Sequence, residues 1–242
     1  MVNVQGWSER QMFEMFSAQH AAALVVAVVA FAAIAIGRQG LRGDKANRRF
    51  RLGMALLLVV CEISLQLSYV MEDSWNAGSL PFQLCSLTLL ISAAALAFRV
   101  KQLYAIVFFL GTLGALQAMV TPNLDEPFPH FRYFHFFIAH IGIIASAVYL
   151  ITVERYRPTI RSVFAALLWL HALAVPAAVV NIVTGTTNFM FLARKPSTAS
   201  LLDVLAPWPW YLLQLELVAF GLCLLLLGVS KLAFWINGRI KG

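Results

Sequence analysis

The residues able to do covalent or proton chemistry in this sequence are three cysteines and five histidines, and they are unevenly placed. Cys85 lies in Leu80-Pro81-Phe82-Gln83-Leu84-Cys85-Ser86-Leu87, where a lipid-facing helix would carry leucine and valine throughout. His130, His135 and His140 fall close together, whereas His20 and His171 stand apart. A thiolate is the reactive nucleophile and an imidazole can take the proton of its thiol, so Cys85 with His140 is a candidate nucleophile and general base. His140 is the deepest of the three and shares its helix with Tyr133, Phe136 and Phe137 on the same side. The alternative for Cys85 is a small buried hydrophobe without chemistry.

No metal or cofactor is expected. Side chains five apart turn ~140° about a helix, so the three histidines do not converge on one ion, and the chain has no HExxH pair. Cys61, Cys85 and Cys223 lie far apart in apolar runs, without the spacing of a zinc site, a redox pair or a disulfide framework.

Helices in a bilayer have to position these groups. Of 242 residues, 61% are hydrophobic and 12% charged, which is outside the composition of soluble domains. Seven runs are long enough for a hydrocarbon core of ~30 Å. They are Ala18 to Gly37, Leu52 to Met71, Leu80 to Phe98, Leu103 to Val120, Phe131 to Val153, Ile160 to Asn181 and Tyr211 to Trp235. The expected fold is all-α, a single seven-helix membrane domain over residues 1–242. The first run follows Glu9, Arg10 and Glu14 and ends in arginines, so it reads as a span rather than a signal peptide.

Charge sets the orientation. Arg38, Arg42, Lys45, Arg48, Arg49 and Arg51 fill the first connector; Arg99 and Lys101, then Arg155, Arg157 and Arg161, then Lys231, Arg239 and Lys241 fall in alternate positions after it. Basic loops stay in the cytoplasm, which puts the N-terminus outside, the C-terminus inside, and the protein in the cell membrane as a multi-pass protein. The net charge of +7 thus reflects insertion and implies no nucleic-acid partner. On the exterior, Arg10, Arg132, Arg194 and Lys195 remain, and the run Thr121 to His130, with three prolines, should be non-helical. The cluster Pro207-Trp208-Pro209-Trp210-Tyr211 suits the headgroup level.

Pro81 marks a helix start near Leu80, and Cys85, Thr88 and Ser92 then continue one inward-looking face. At 1.5 Å per residue Cys85 would lie ~7 Å below that start and His140 ~14 Å below its own. For the two to meet, the fifth span must protrude outward or the third must start below the interface. Glu62, Gln66, Tyr69 and Asp73 share a face of the second span, and helix-to-helix glue, with a partner such as Gln117 or Gln214 for Glu62, is the expectation there ahead of a proton-carrying role.

The blocks Leu80 to Leu87, Gln117-Ala118-Met119-Val120-Thr121-Pro122, Phe128-Pro129-His130 onward to His140, Gly185-Thr186-Thr187-Asn188-Phe189-Met190, Lys195-Pro196, Leu201-Leu202-Asp203 and Pro207 to Tyr211 carry a family resemblance over nearly the whole chain. In that order they resemble the YwaF-type integral membrane proteins of bacteria, which are similar to a eukaryotic seven-span acyltransferase acting on ether phospholipids. The resemblance implies transfer of a fatty acyl chain from a phospholipid to a lysophospholipid through a thioester on Cys85, with His140 as base. It leaves the lipid itself open, as ether phospholipids with polyunsaturated chains are not expected in most bacteria. By type, Gln83, Gln117 and Asn188 would steady the oxyanion, Arg132, Arg194 and Lys195 would hold a phosphate headgroup, and His130 and Trp210 are counted with the substrate-binding residues. An exterior site has no cytosolic thioester donor, which favours a lipid ester. The rival readings are a lipid hydrolase using the same Cys85 and His140, or a non-catalytic lipid- or small-molecule-binding or transport protein; a transporter of repeated halves would show internal repetition, which this chain lacks.

Overall fold

A chain segment inside a bilayer has to satisfy its own amides, and each apolar run here does so as helix. The computed structural model describes residues 12–195 and 201–239; Glu9, Arg10, Pro196 and Lys241 lie outside them. It is all-helical, with no strand among the described residues. In chain order the long helices are α1 (Ala18–Ile36), α2 (Asp44–Met71), α3 (Leu84–Phe98), α4 (Lys101–Val120), α5 (Phe131–Thr152), α6 (Ile160–Thr184) and α7 (Trp210–Arg239). Six of them are long and apolar enough to cross a membrane. The exception is α3, whose 15 residues extend only ~22 Å.

Two helix starts differ from expectation, each for its own reason. Helix α2 begins at Asp44, well ahead of Leu52, and takes half of the basic connector into helix. Arg51 is turned inward there, and its Nη1 donates to the Leu96 and Ala97 carbonyls at the end of α3. Those carbonyls have no partner within α3, and the chain leaves that helix through Arg99 in the left-handed region (φ 55°). Helix α3 in turn begins at Leu84 rather than near Leu80. Pro81 is not in its first turn; Leu80 before it is extended, as a residue preceding proline prefers, and follows a 3₁₀ turn at Ala77–Ser79.

Helix α5 is the centre of the bundle, packed against α1, α2, α3 and α4. Its approach to α2 runs through Gly142, where an added Cβ would come within 2.8 Å of a Leu58 methyl. Its approach to α4 runs through a π turn at Val107–Gly111, buried along its whole length. Helix α7 rests on α6, and both show apolar side chains such as Leu168, Val179, Leu217 and Leu225 to the outside, as lipid requires. The non-helical Thr121 to His130 connector is as expected.

The basic connectors share one end of the bundle. Arg42 donates to the Thr152 carbonyl (2.7 Å), and Glu154 receives Arg99 (2.9 Å), Asn47 (3.1 Å) and Tyr149 (2.9 Å). Burial pushes the Glu154 carboxyl up, but these hydrogen bonds and the Arg99 charge outweigh it and hold the group below the ordinary carboxylate range. At the opposite end, the Phe13 N–H donates to Asp125 O (2.9 Å) and Tyr133 Oη to Gln19 O (2.7 Å).

Candidate functional site

The late start of α3 decides where Cys85 lies. Cys85 is the second residue of its helix rather than one turn below the start, while His140 is the tenth residue of α5. Between the 3₁₀ turn and Leu84 the chain is non-helical, with the Phe82 N–H donating to the Leu80 carbonyl (2.8 Å) and Gln83 extended. Cys85 and His140 both line one cavity of about 310 Å³. Its walls are Glu62 and Leu65 from α2, Cys85, Ser86 and Leu89 from α3, and Arg132, His135, Phe136, Ala139, His140 and Ile143 from α5. The connector residues Asn123, Leu124, Asp125 and Glu126 complete it at the end away from the basic loops.

Around Cys85 the neighbours are small. An added Cβ on Gly114 of α4 would stand 4.0 Å from the sulfur, so α4 presents backbone to it. Thr88 Oγ1 donates to the Cys85 carbonyl (3.2 Å) and Ser92 Oγ to the Thr88 carbonyl (2.6 Å). Both hydroxyls are buried and satisfied within α3, which gives the inward polar face expected.

His140 is 8% exposed, its ring 4.3 Å from that of Phe136. Its Nδ1 is 2.7 Å from the Phe136 carbonyl. A carbonyl only accepts, so Nδ1 carries the hydrogen and Nε2 is the nitrogen left to take a proton. Tyr133 and Phe137 turn away from it to surround His20 and Phe13, so the shared aromatic face holds for Phe136 alone. His135 donates from Nε2 to the Cys61 carbonyl (3.0 Å), and the cavity wraps far enough around α5 for both histidines to line it.

The other candidates divide. Arg132 lines the cavity, with its guanidinium 4.7 Å above the Tyr69 ring, Nε 3.8 Å from Glu126, and Nη1 buried without a hydrogen-bond partner among the described residues. Gln83, Gln117, His130, Asn188, Lys195 and Trp210 do not line it. Gln83 Oε1 accepts from the Met190 N–H (3.1 Å), and Asn188 binds the backbone of Ala193 and Arg194, so both shape the long connector between α6 and α7. Arg194 donates to Thr186 O, and Lys195 Nζ donates to Leu205 O (2.6 Å). His130 caps α5 by accepting from the Arg132 N–H. Gln117 is exposed, as is Trp210 at 66%.

Ser86, Asn123, Asp125 and Glu126, with the more deeply set Glu62 and His135, are polar cavity residues that the sequence did not assign to the site. Glu62 is bound by Gln66 (3.0 Å) on its own helix, and neither Gln117 nor Gln214 takes that place; Gln214 accepts from the Ala206 N–H. The signal for Glu62 was its depth in an apolar run, which makes a carboxyl a functional candidate before a packing one.

Helices that bury a polar chamber while showing hydrocarbon outward define a multi-pass membrane protein. The chain belongs to the TMEM164 family, whose model matches residues 15–227. No curated protein and no solved structure matches it.

Proposed function

We propose that this protein is a phospholipid acyltransferase of the cell membrane, with Cys85 as nucleophile and His140 as general base. The observation that carries the reading is the shared cavity: a thiol from α3 and an imidazole from α5, its Nε2 available, line one polar chamber inside an apolar bundle. The resemblance to YwaF-type proteins and to the ether-phospholipid acyltransferase supports the same pair. In this reading all seven helices cross the bilayer, α3 being completed by the segment before it. The basic end is cytoplasmic and the chamber opens to the outer leaflet.

His140 Nε2 takes the thiol proton, and sulfur adds to an acyl ester carbonyl to give a thioester and release a lysophospholipid. A second lipid hydroxyl then accepts the acyl group. The first amides of α3 have no carbonyl partner within the helix, and Gln83 makes no side-chain cap, so the Cys85 and Ser86 N–H groups are the oxyanion donors of choice. Arg132, with an unpartnered nitrogen, would hold the phosphate.

Acyl-labelled phospholipid with unlabelled lysophospholipid tests this in purified, reconstituted protein. New labelled diacyl lipid is expected, reduced by roughly 100-fold or more in Cys85→Ala and His140→Ala. Labelled free fatty acid instead would mean a hydrolase. Transfer unchanged in both variants would refute the assignment.

A further inference from the structure

We propose that Glu62 is a further catalytic residue of this chamber, giving a proton to the oxygen that leaves the donor lipid and taking one from the hydroxyl that accepts the acyl group. This rests on the Cys85 and His140 reading and extends it. Glu62 lies in the interior of α2 and is 7% exposed, yet it borders the chamber. A carboxyl at that depth is expensive and calls for a task. Joining helices is not that task, because its hydrogen bond comes from Gln66, one turn along the same helix.

The carboxyl is held in a defined orientation. The Trp75 indole N–H donates to Gln66 Oε1 (3.2 Å), and an indole nitrogen can only donate. That fixes the amide: Gln66 Nε2 then donates both to the Ser79 carbonyl (2.8 Å) and to Glu62 Oε1 (3.0 Å). Glu62 Oε2 has no hydrogen bond among the described residues and is the oxygen left for a ligand in the chamber. An arrangement running from an outer loop through a fixed amide to one carboxyl oxygen is a positioning device, of the kind that supports catalytic groups.

With a second proton carrier the cycle closes without either group working twice in one step. In the first half, the thiol proton passes to His140 Nε2, the sulfur–carbon bond forms, the ester carbon–oxygen bond breaks, and the leaving oxygen takes the Glu62 proton. In the second half, the accepting hydroxyl gives its proton to Glu62, its oxygen bonds to the acyl carbon, the carbon–sulfur bond breaks, and sulfur recovers its proton from His140. Both groups end as they began.

The test compares two donors in full-length protein held in phospholipid-free detergent micelles, following acylation of Cys85 by intact mass. A p-nitrophenyl fatty ester releases an oxygen that needs no proton; a phospholipid releases one that does. Glu62→Gln should acylate within about twofold of the wild-type rate with the nitrophenyl ester and roughly 100-fold or more slower with the phospholipid. Equal slowing with both donors would mark Glu62 as structural, and no slowing with either would mark it as idle; both overturn the proposal. Failure of the wild type to acylate Cys85 with either donor would instead remove the underlying reading.

Discussion

An imidazole whose Nδ1 is tied to a carbonyl can act only through Nε2, and His140 is tied in this way to Phe136. Arg132 is constrained less completely, held over Tyr69 and near Glu126 with one nitrogen unpartnered. A charged hydrogen bond of about 1.5–3 kcal/mol lost with it corresponds to a rise of roughly tenfold or more in half-saturating phospholipid. Arg132→Met should show that rise with little change in the maximal rate, and Arg132→Lys should not restore it, because lysine lacks the planar fork. A fall in maximal rate alone would contradict a headgroup role. At this scale the sequence disclosed residue type better than residue location. Cys85, His140 and Arg132 line the chamber, whereas Gln83, Asn188 and Lys195 are engaged with loop backbone. Long non-helical connectors have many amides and carbonyls to satisfy, and polar side chains there are drawn to that work before any substrate.

Helices set these residues at their depth, and most could be read from apolar runs alone: α1 and α5 begin where hydropathy places them. The two starts that differ depend on partners distant in sequence or on one proline. Arg51 finds carbonyls on α3, and Pro81 keeps Leu80 extended, so that α3 starts at Leu84 and Cys85 is its second residue. Close approach of α5 to α2 has a direct test. A methyl on Gly142 would come within 2.8 Å of a methyl of the fully buried Leu58, which would have to shift within the core. Gly142→Ala should therefore destabilise the protein by about 1–3 kcal/mol, seen as a lower melting temperature in detergent. An unchanged melting temperature would mean the two helices part at little cost.

Across the whole molecule the two ends have different work. The basic end is fastened by Glu154, which joins α2, the α3–α4 connector and α5 through Asn47, Arg99 and Tyr149. The folded carboxyl lies below its ordinary range, so its contribution is present above the unfolded value and is lost as pH falls through the folded one. Thermal stability in detergent should thus drop on strong acidification, and Glu154→Gln should be less stable at neutral pH and less sensitive to acid. A variant that keeps the full acid response would place the sensitivity elsewhere. The sequence disclosed this division through its alternating basic loops, but not the ties of Glu154 to Asn47 and Arg99, which connect residues more than fifty positions apart.

The opposite end holds the chamber, and the account stands on what happens to one sulfur in it. Intact-protein mass spectrometry after incubation with a diacyl phospholipid measures that directly. The account predicts a mass increase of one acyl group, mapped to Cys85, released by neutral hydroxylamine as a thioester is, and absent in Cys85→Ala. No acyl adduct on the wild type under conditions where lipid is bound, or an adduct that survives in Cys85→Ala, would contradict it.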